Sequence, residues 1–170
     1  MKIRSSKLGF TLTELILVIV LLSILSLFAA SRFIGKSSFS AFALREQVIS
    51  VIRQVQVNRM QSNVDNPDSN FQLKVSSSCI GSVAACALSG SAQDARSDVV
   101  VDDSAQFSTQ TLGDDVTLNF SLLGNPLDDS GDSLATASGG VSIIIEDKNG
   151  QSRCAVNINS QGYVSKGSCS

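Results

Sequence analysis

The sequence predicts an α+β fold: a long N-terminal helix, transmembrane and then amphipathic, packed against a small antiparallel β-sheet domain. Three observations predict it. The apolar residues of this 170-residue chain pile up in one N-terminal stretch. An amphipathic repeat follows, with no proline before Pro67. After Pro67, short β-favouring runs alternate with turn-forming Ser, Gly, Asp and Asn. A chain of this length holds one domain plus an accessory segment.

The apolar stretch, Phe10 to Ala30, reads FTLTELILVIVLLSILSLFAA, and Glu14 is its only charge. As a helix it would run about 32 Å, which matches the hydrocarbon core of a bilayer. Before it stand Lys2, Arg4 and Lys7 with no acid among them. Positive charge ahead of an apolar segment holds that end in the cytoplasm, so a single-pass topology with the remainder outside is expected. A secretory signal peptide would need small residues at its cleavage site. Cutting after Ala30 places Phe28 three positions back, and cutting after Ala29 places Leu27 there. An inert anchor gains nothing from Glu14, because an ionisable group within a membrane helix is costly and points to function.

From Arg32 the pattern turns amphipathic. Ala41, Leu44, Val48, Val51 and Val55 recur at spacings of three and four, with Glu46, Ser50, Arg53 and Gln54 on the other side. The run Ser62 to Asp68, with Asn63, Asn66 and Pro67, is a helix stop, so one helix of roughly 50 residues is expected. Beyond it the candidate strands are Phe71–Val75, Asp98–Val101, Val116–Leu122, Val141–Glu146, Cys154–Ile158 and Gly162–Val164. Asn149-Gly150 reads as a hairpin turn and Asn159 to Gly162 as another.

Composition removes several functional classes. There is no histidine, which excludes Ser-His-Asp triads and His-containing zinc sites. The aromatic residues are 8 Phe, 1 Tyr and no Trp, a poor basis for a stacking platform. With 13 Lys+Arg against 15 Asp+Glu, the chain has no general pull toward nucleic acid. The four cysteines, Cys79, Cys86, Cys154 and Cys169, fit an oxidising compartment and allow three connectivities. Local pairing, Cys79 with Cys86 and Cys154 with Cys169, is favoured, since it would staple a loop and tie the tail to a strand. A zinc site lacks both a C-x-x-C pair and histidine. Asp128, Asp129 and Asp132 surround Gly131 in the densest acidic loop, a calcium candidate whose spacing matches no EF-hand. Asp102-Asp103 and Asp114-Asp115 read as solvated loop charges.

The junction Lys7-Leu8-Gly9-Phe10-Thr11-Leu12-Thr13-Glu14 resembles the leader-peptide motif of type IV prepilins and pseudopilins: a short basic leader, Gly, Phe, and Glu as the fifth residue of the mature chain. The resemblance implies cleavage between Gly9 and Phe10 by a prepilin peptidase, and N-methylation of the new Phe10 amine. It also implies that Glu14 pairs with the Phe10 amine of a neighbouring subunit during assembly, and that the fold is pilin-like. The organisation then expected is a leader at 1–9, a transmembrane and assembly helix at 10–30, its amphipathic continuation at 31–66, and a β-rich periplasmic or extracellular domain at 67–170. A disulfide closing the C-terminal tail is common in such proteins.

Ser31-Arg32-Phe33-Ile34 and the stretch Arg53 to Ser62 look like subunits of the mannose-sensitive haemagglutinin (MSHA) pilus system. The implied function is that of a minor pilin, without catalysis or cofactor, in a pilus for surface attachment. Its partners would be prepilin peptidase, other major and minor pilins, the inner-membrane assembly platform, and membrane lipid before assembly. Major pilins usually carry Gly and Pro helix-weakening positions where this chain has Ser23 and Ser31, which points to a minor subunit. The alternatives are a minor pseudopilin of a type II secretion system and a DNA-uptake minor pilin. Against the latter, loss of Lys2, Arg4 and Lys7 with the leader leaves 10 Lys+Arg against 15 Asp+Glu, a side-chain balance of −5.

Overall fold

The computed structural model describes residues 11–33, 40–65, 68–128, 131–132, 134 and 140–170. The chain divides into two compact units, Met1–Lys36 and Ser37–Ser170. The first holds helix α1, Leu12–Phe33. Among the described residues, no helix is long and apolar enough to cross a membrane. The expected single helix of about 50 residues would have to run through residues 34–39, which lie outside the described residues.

The second unit is built on helix α2, Ser40–Gln61. Ala41, Leu44, Val48, Val51 and Val55 are all buried, joined by Ile49 and Ile52, while Glu46, Ser50 and Arg53 face solvent. Two polar residues continue the buried stripe. Gln56 is 6% exposed, and its Nε2 donates to the carbonyls of Gly124 (3.0 Å) and Gly162 (2.8 Å). Arg59 is 5% exposed and donates from Nε to Phe120 O (3.0 Å) and from Nη1 to Val64 O and Ser62 Oγ (2.8 Å each). A cation in the last turn thus holds the chain that leaves the helix, and α2 stops at Gln61, just before the polar stop signal.

Two antiparallel sheets lie beyond the helix, where a single small sheet was expected. The first has the strand order β3-β2-β1-β5-β6 and the second the order β4-β7-β8-β9. Their ranges are β1 Leu73–Val75, β2 Cys79–Ser82, β3 Val99–Val101, β4 Ala105–Thr109, β5 Val116–Phe120, β6 Pro126–Leu127, β7 Gly140–Asp147, β8 Arg153–Asn159 and β9 Val164–Cys169. Two single-turn helices, α3 Val83–Cys86 and α4 Ser91–Asp94, join β2 to β3. Strand β2, absent from the sequence reading, lies between β3 and β1 and is buried at all four positions. Gly81 at its middle fits because an added Cβ would come within 2.5 Å of the Asp98 carbonyl oxygen and 2.7 Å of Val99 Cα.

The two sheets and α2 enclose one core, with Ile52, Phe107, Phe120, Leu118, Ile143 and Ile158 among its least exposed members. Strands β7 and β8 pair over seven positions, from Gly140↔Asn159 to Glu146↔Arg153. Their connection turns through Gly150 (φ 67°), the expected Asn149-Gly150 hairpin. Asp147 closes β7 at 2% exposure, and among the described residues neither of its carboxylate oxygens has a hydrogen-bond partner.

One buried carboxylate is well compensated. Asp98 is 5% exposed and receives a forked pair of bonds from Arg96, Nε to Oδ1 (2.8 Å) and Nη2 to Oδ2 (2.7 Å). Burial opposes its ionisation, but the Arg96 and Ser82 hydrogen bonds and the guanidinium charge outweigh it and hold the carboxyl below its ordinary value. A depressed folded-state value means that the stabilisation is present above the unfolded value, near ~4, and is lost as pH falls through the folded one. Melting temperature should therefore drop more steeply below about pH 4 in the wild-type chain than in Asp98→Asn. Parallel acid profiles for the two proteins would contradict this.

Candidate assembly site on the N-terminal helix

Of the residues that the junction motif assigns, Gly9 and Phe10 lie outside the described residues, and Glu14 lies inside them. Glu14 occupies the first turn of α1, where a carboxylate is favoured by the positive end of the helix dipole. Thr11 precedes the helix and caps it. Its Oγ1 accepts the Glu14 N–H at 3.3 Å, and its carbonyl accepts the same N–H at 3.1 Å and that of Leu15 at 3.2 Å. Thr11-Leu12-Thr13-Glu14 therefore stands in capping-box spacing, a signal that was present in the sequence and not read there. No ion pair among the described residues involves Glu14.

The side chains that follow are apolar on every face. Leu12, Leu15, Ile16, Leu17, Val18, Ile19, Val20, Leu21, Leu22, Ile24 and Leu25 are between 45% and 74% exposed. A helix that is apolar all round is stable only inside lipid or a bundle of other helices. Ser23 and Ser26 do not break that character. Ser23 Oγ donates to Ile19 O and Ser26 Oγ to Leu22 O, each at 2.7 Å, so both hydroxyls are satisfied inside their own helix. The geometry is an apolar rod that carries one carboxylate at its capped end. Chemically it can pair with a cation offered at that depth and lie against apolar surfaces along its length.

The remaining assigned residues sit in the second unit. Cys79 in β2 is bridged to Cys86 in α3, and Cys154 in β8 to Cys169 in β9. Cys154 and Cys169 are direct cross-strand partners, with Cα atoms 4.1 Å apart. Asp128 spends Oδ1 on the backbone N–H of Asp132 (2.9 Å), closing its own loop through Gly131 (φ 84°). Asp129, the third member of the calcium candidate, lies outside the described residues. Among the described residues, no three His, Cys, Asp or Glu side chains are grouped to hold a metal ion.

A family model described as the prokaryotic N-terminal methylation motif matches residues 4–30. The match takes in the leader from Arg4, the Gly9-Phe10 junction, Glu14 and the apolar stretch, and it supports a type IV prepilin-like N-terminus. No curated protein and no solved structure matches the chain.

Proposed function

We propose that the chain is a minor subunit of a type IV pilus of the mannose-sensitive haemagglutinin kind, similar to its prepilin-like protein MshC. In this reading prepilin peptidase cuts between Gly9 and Phe10, and the Phe10 amine is N-methylated. The apolar segment anchors the subunit in the inner membrane, with its N-terminus cytoplasmic and its globular unit periplasmic. The assembly platform then moves it into a filament of major and minor pilins at the cell surface. The subunit contributes structure and has no catalysis of its own.

The observation that carries the proposal is the methylation motif over residues 4–30, coupled to an apolar helix whose single carboxylate stands at its capped end. Cleavage creates a charged amine on Phe10, and pairing it with Glu14 of a neighbour compensates two charges that are each costly in an apolar bundle. The minor-subunit reading rests on the unbroken course of α1 to Phe33, with Ser23 and Ser31 where major pilins weaken the helix.

The test is a clean gene deletion, with surface pili scored by electron microscopy and secreted proteins assayed in the same cultures. Loss of pili with normal secretion, restored by the wild-type gene, is the expected result. Normal pili with failed secretion would overturn the pilus assignment in favour of a type II secretion pseudopilin.

A further inference from the structure

We propose that strand β3 is a docking edge: an extended, positively charged segment of another protein pairs with it and adds a strand to the five-stranded sheet. The proposal is independent of how the N-terminus is processed.

The sheets end in four edge strands, β3, β6, β4 and β9, and three of them are blunted. Along β9, the carbonyls of Val164 and Gly167 accept from Arg53 Nη2 (2.9 Å) and Arg45 Nη1 (3.3 Å). At β4, the Phe107 N–H donates to Ser77 O (3.2 Å) and the Thr109 N–H to Gly113 O (3.2 Å). Strand β6 is two residues long and begins with Pro126, whose carbonyl accepts the Leu134 N–H (3.0 Å). These are the usual defences of a sheet edge.

Strand β3 has no such cover. Ser82 N–H donates to Asp98 O (2.9 Å), and Ile80 lies opposite Val100. Because alternate residues of an antiparallel pair carry the ladder, Val99 and Val101 turn their N–H and C=O groups away from β2. Among the described residues, no hydrogen bond to those outward groups occurs. A groove of about 170 Å³ runs beside the strand, lined by Gln47 from α2, Gln93 and Asp94 from α4, and Arg96. The Val101 side chain is 46% exposed beside it. Main-chain pairing would supply affinity, and the groove would read alternate side chains of the incoming strand.

Charge selects the occupant. Asp94, Asp102 and Asp103 flank the edge, and Arg96, which lines the groove, is engaged by Asp98. A second copy of β3 would bring the same acids face to face across the pair, whereas a strand flanked by Lys or Arg meets them favourably.

The experiment uses the full chain in detergent micelles and the blocked peptide acetyl-Lys-Thr-Val-Thr-Val-Lys-amide. Readouts are fluorescence anisotropy and hydrogen exchange of the Val99 and Val101 amides. Saturable binding that slows exchange at both amides by about tenfold is expected. Replacing the lysines of the peptide by glutamate should weaken binding by at least about tenfold, as should Asp102→Lys with Asp103→Lys in the protein. The variant Val101→Pro removes an outward donor at an edge position that tolerates proline, and it should abolish binding with little change in Tm. If that variant fails to fold, the charge-reversal variant carries the test. Three results would overturn the proposal: no protection at Val99 and Val101, equal binding of a peptide N-methylated on its pairing amides, or protection that rises with protein concentration alone. The last would assign the edge to a second copy.

Discussion

Glu14→Val should be cleaved and inserted into the membrane like the wild-type chain, yet enter filaments at roughly a hundredth of the wild-type amount or less. The size of the effect follows from what is left behind. Removing one partner of a buried charge pair strands the other, in the proposed assembly the Phe10 amine of the adjoining subunit, at a cost of about 3–5 kcal/mol. Two controls separate charge from helix capping. Glu14→Gln keeps a side chain that serves a capping box but has no charge, so it should fail as completely as Val. Thr11→Val removes the hydroxyl that accepts the Glu14 N–H and leaves the carboxylate in place. It should cost about 1 kcal/mol of helix stability and still assemble. Filament incorporation is read by immunoblot of sheared pili, and processing by the mass of the mature N-terminus. Wild-type incorporation of Glu14→Gln would show that the carboxylate is not an assembly contact.

The sequence was most legible where one physical requirement dominates. Helix α2 declared its buried face through Ala41, Leu44, Val48, Val51 and Val55, because an amphipathic helix against a core must repeat near 3.6 residues. Gln56 and Arg59 fall on the same stripe, and their polarity concealed that they are buried and bonded to backbone carbonyls. Strands β7 and β8 were legible through Val141 to Glu146 and Cys154 to Ile158, since both are β-branched and flank an Asn-Gly turn. Strand β4 alternates in burial through Ala105, Phe107 and Thr109, but Ala105, the interleaved Gln106 and Ser108, and the neighbouring Asp and Ser masked it. Strand β9 shares only Val164 with the expected strand Gly162–Val164 and runs on to Cys169 through Ser165, Lys166, Gly167 and Ser168, a run with almost no intrinsic preference for extended structure. Tertiary partners hold it in place: β8 on one side and the arginines of α2 on the other. In the candidate site, the motif identified Glu14 by spacing, while the capping role of Thr11 required its hydrogen bond to be seen.

That dependence of β9 on its surroundings sets the second large effect. Replacing the Cys154–Cys169 bridge, as Cys154→Ala with Cys169→Ser, should lower stability by about 3 kcal/mol, the chain-entropy value for a loop of this size. For a unit of this length the loss corresponds to a Tm lower by roughly 10 °C. The separation of 15 residues exceeds the 7 of Cys79–Cys86, yet loop length alone separates the two bridges by only about 0.7 kcal/mol. What distinguishes them is position. Cys154 is fully buried in β8, and the bridge clamps the far end of an edge strand that Val164 anchors in the core at its near end and that polar ties hold in between. Among those ties, the Lys166–Glu46 pair at 2.8 Å is solvent-exposed and contributes little. Loss of the bridge should therefore raise hydrogen exchange across Val164–Cys169 well before global unfolding, while replacing Cys79 and Cys86 leaves those amides protected. If exchange in β9 stays at the wild-type rate while Tm falls, the bridge acts only by restricting the unfolded chain. In that case Arg45 and Arg53, donating to Gly167 and Val164, are sufficient to hold the strand.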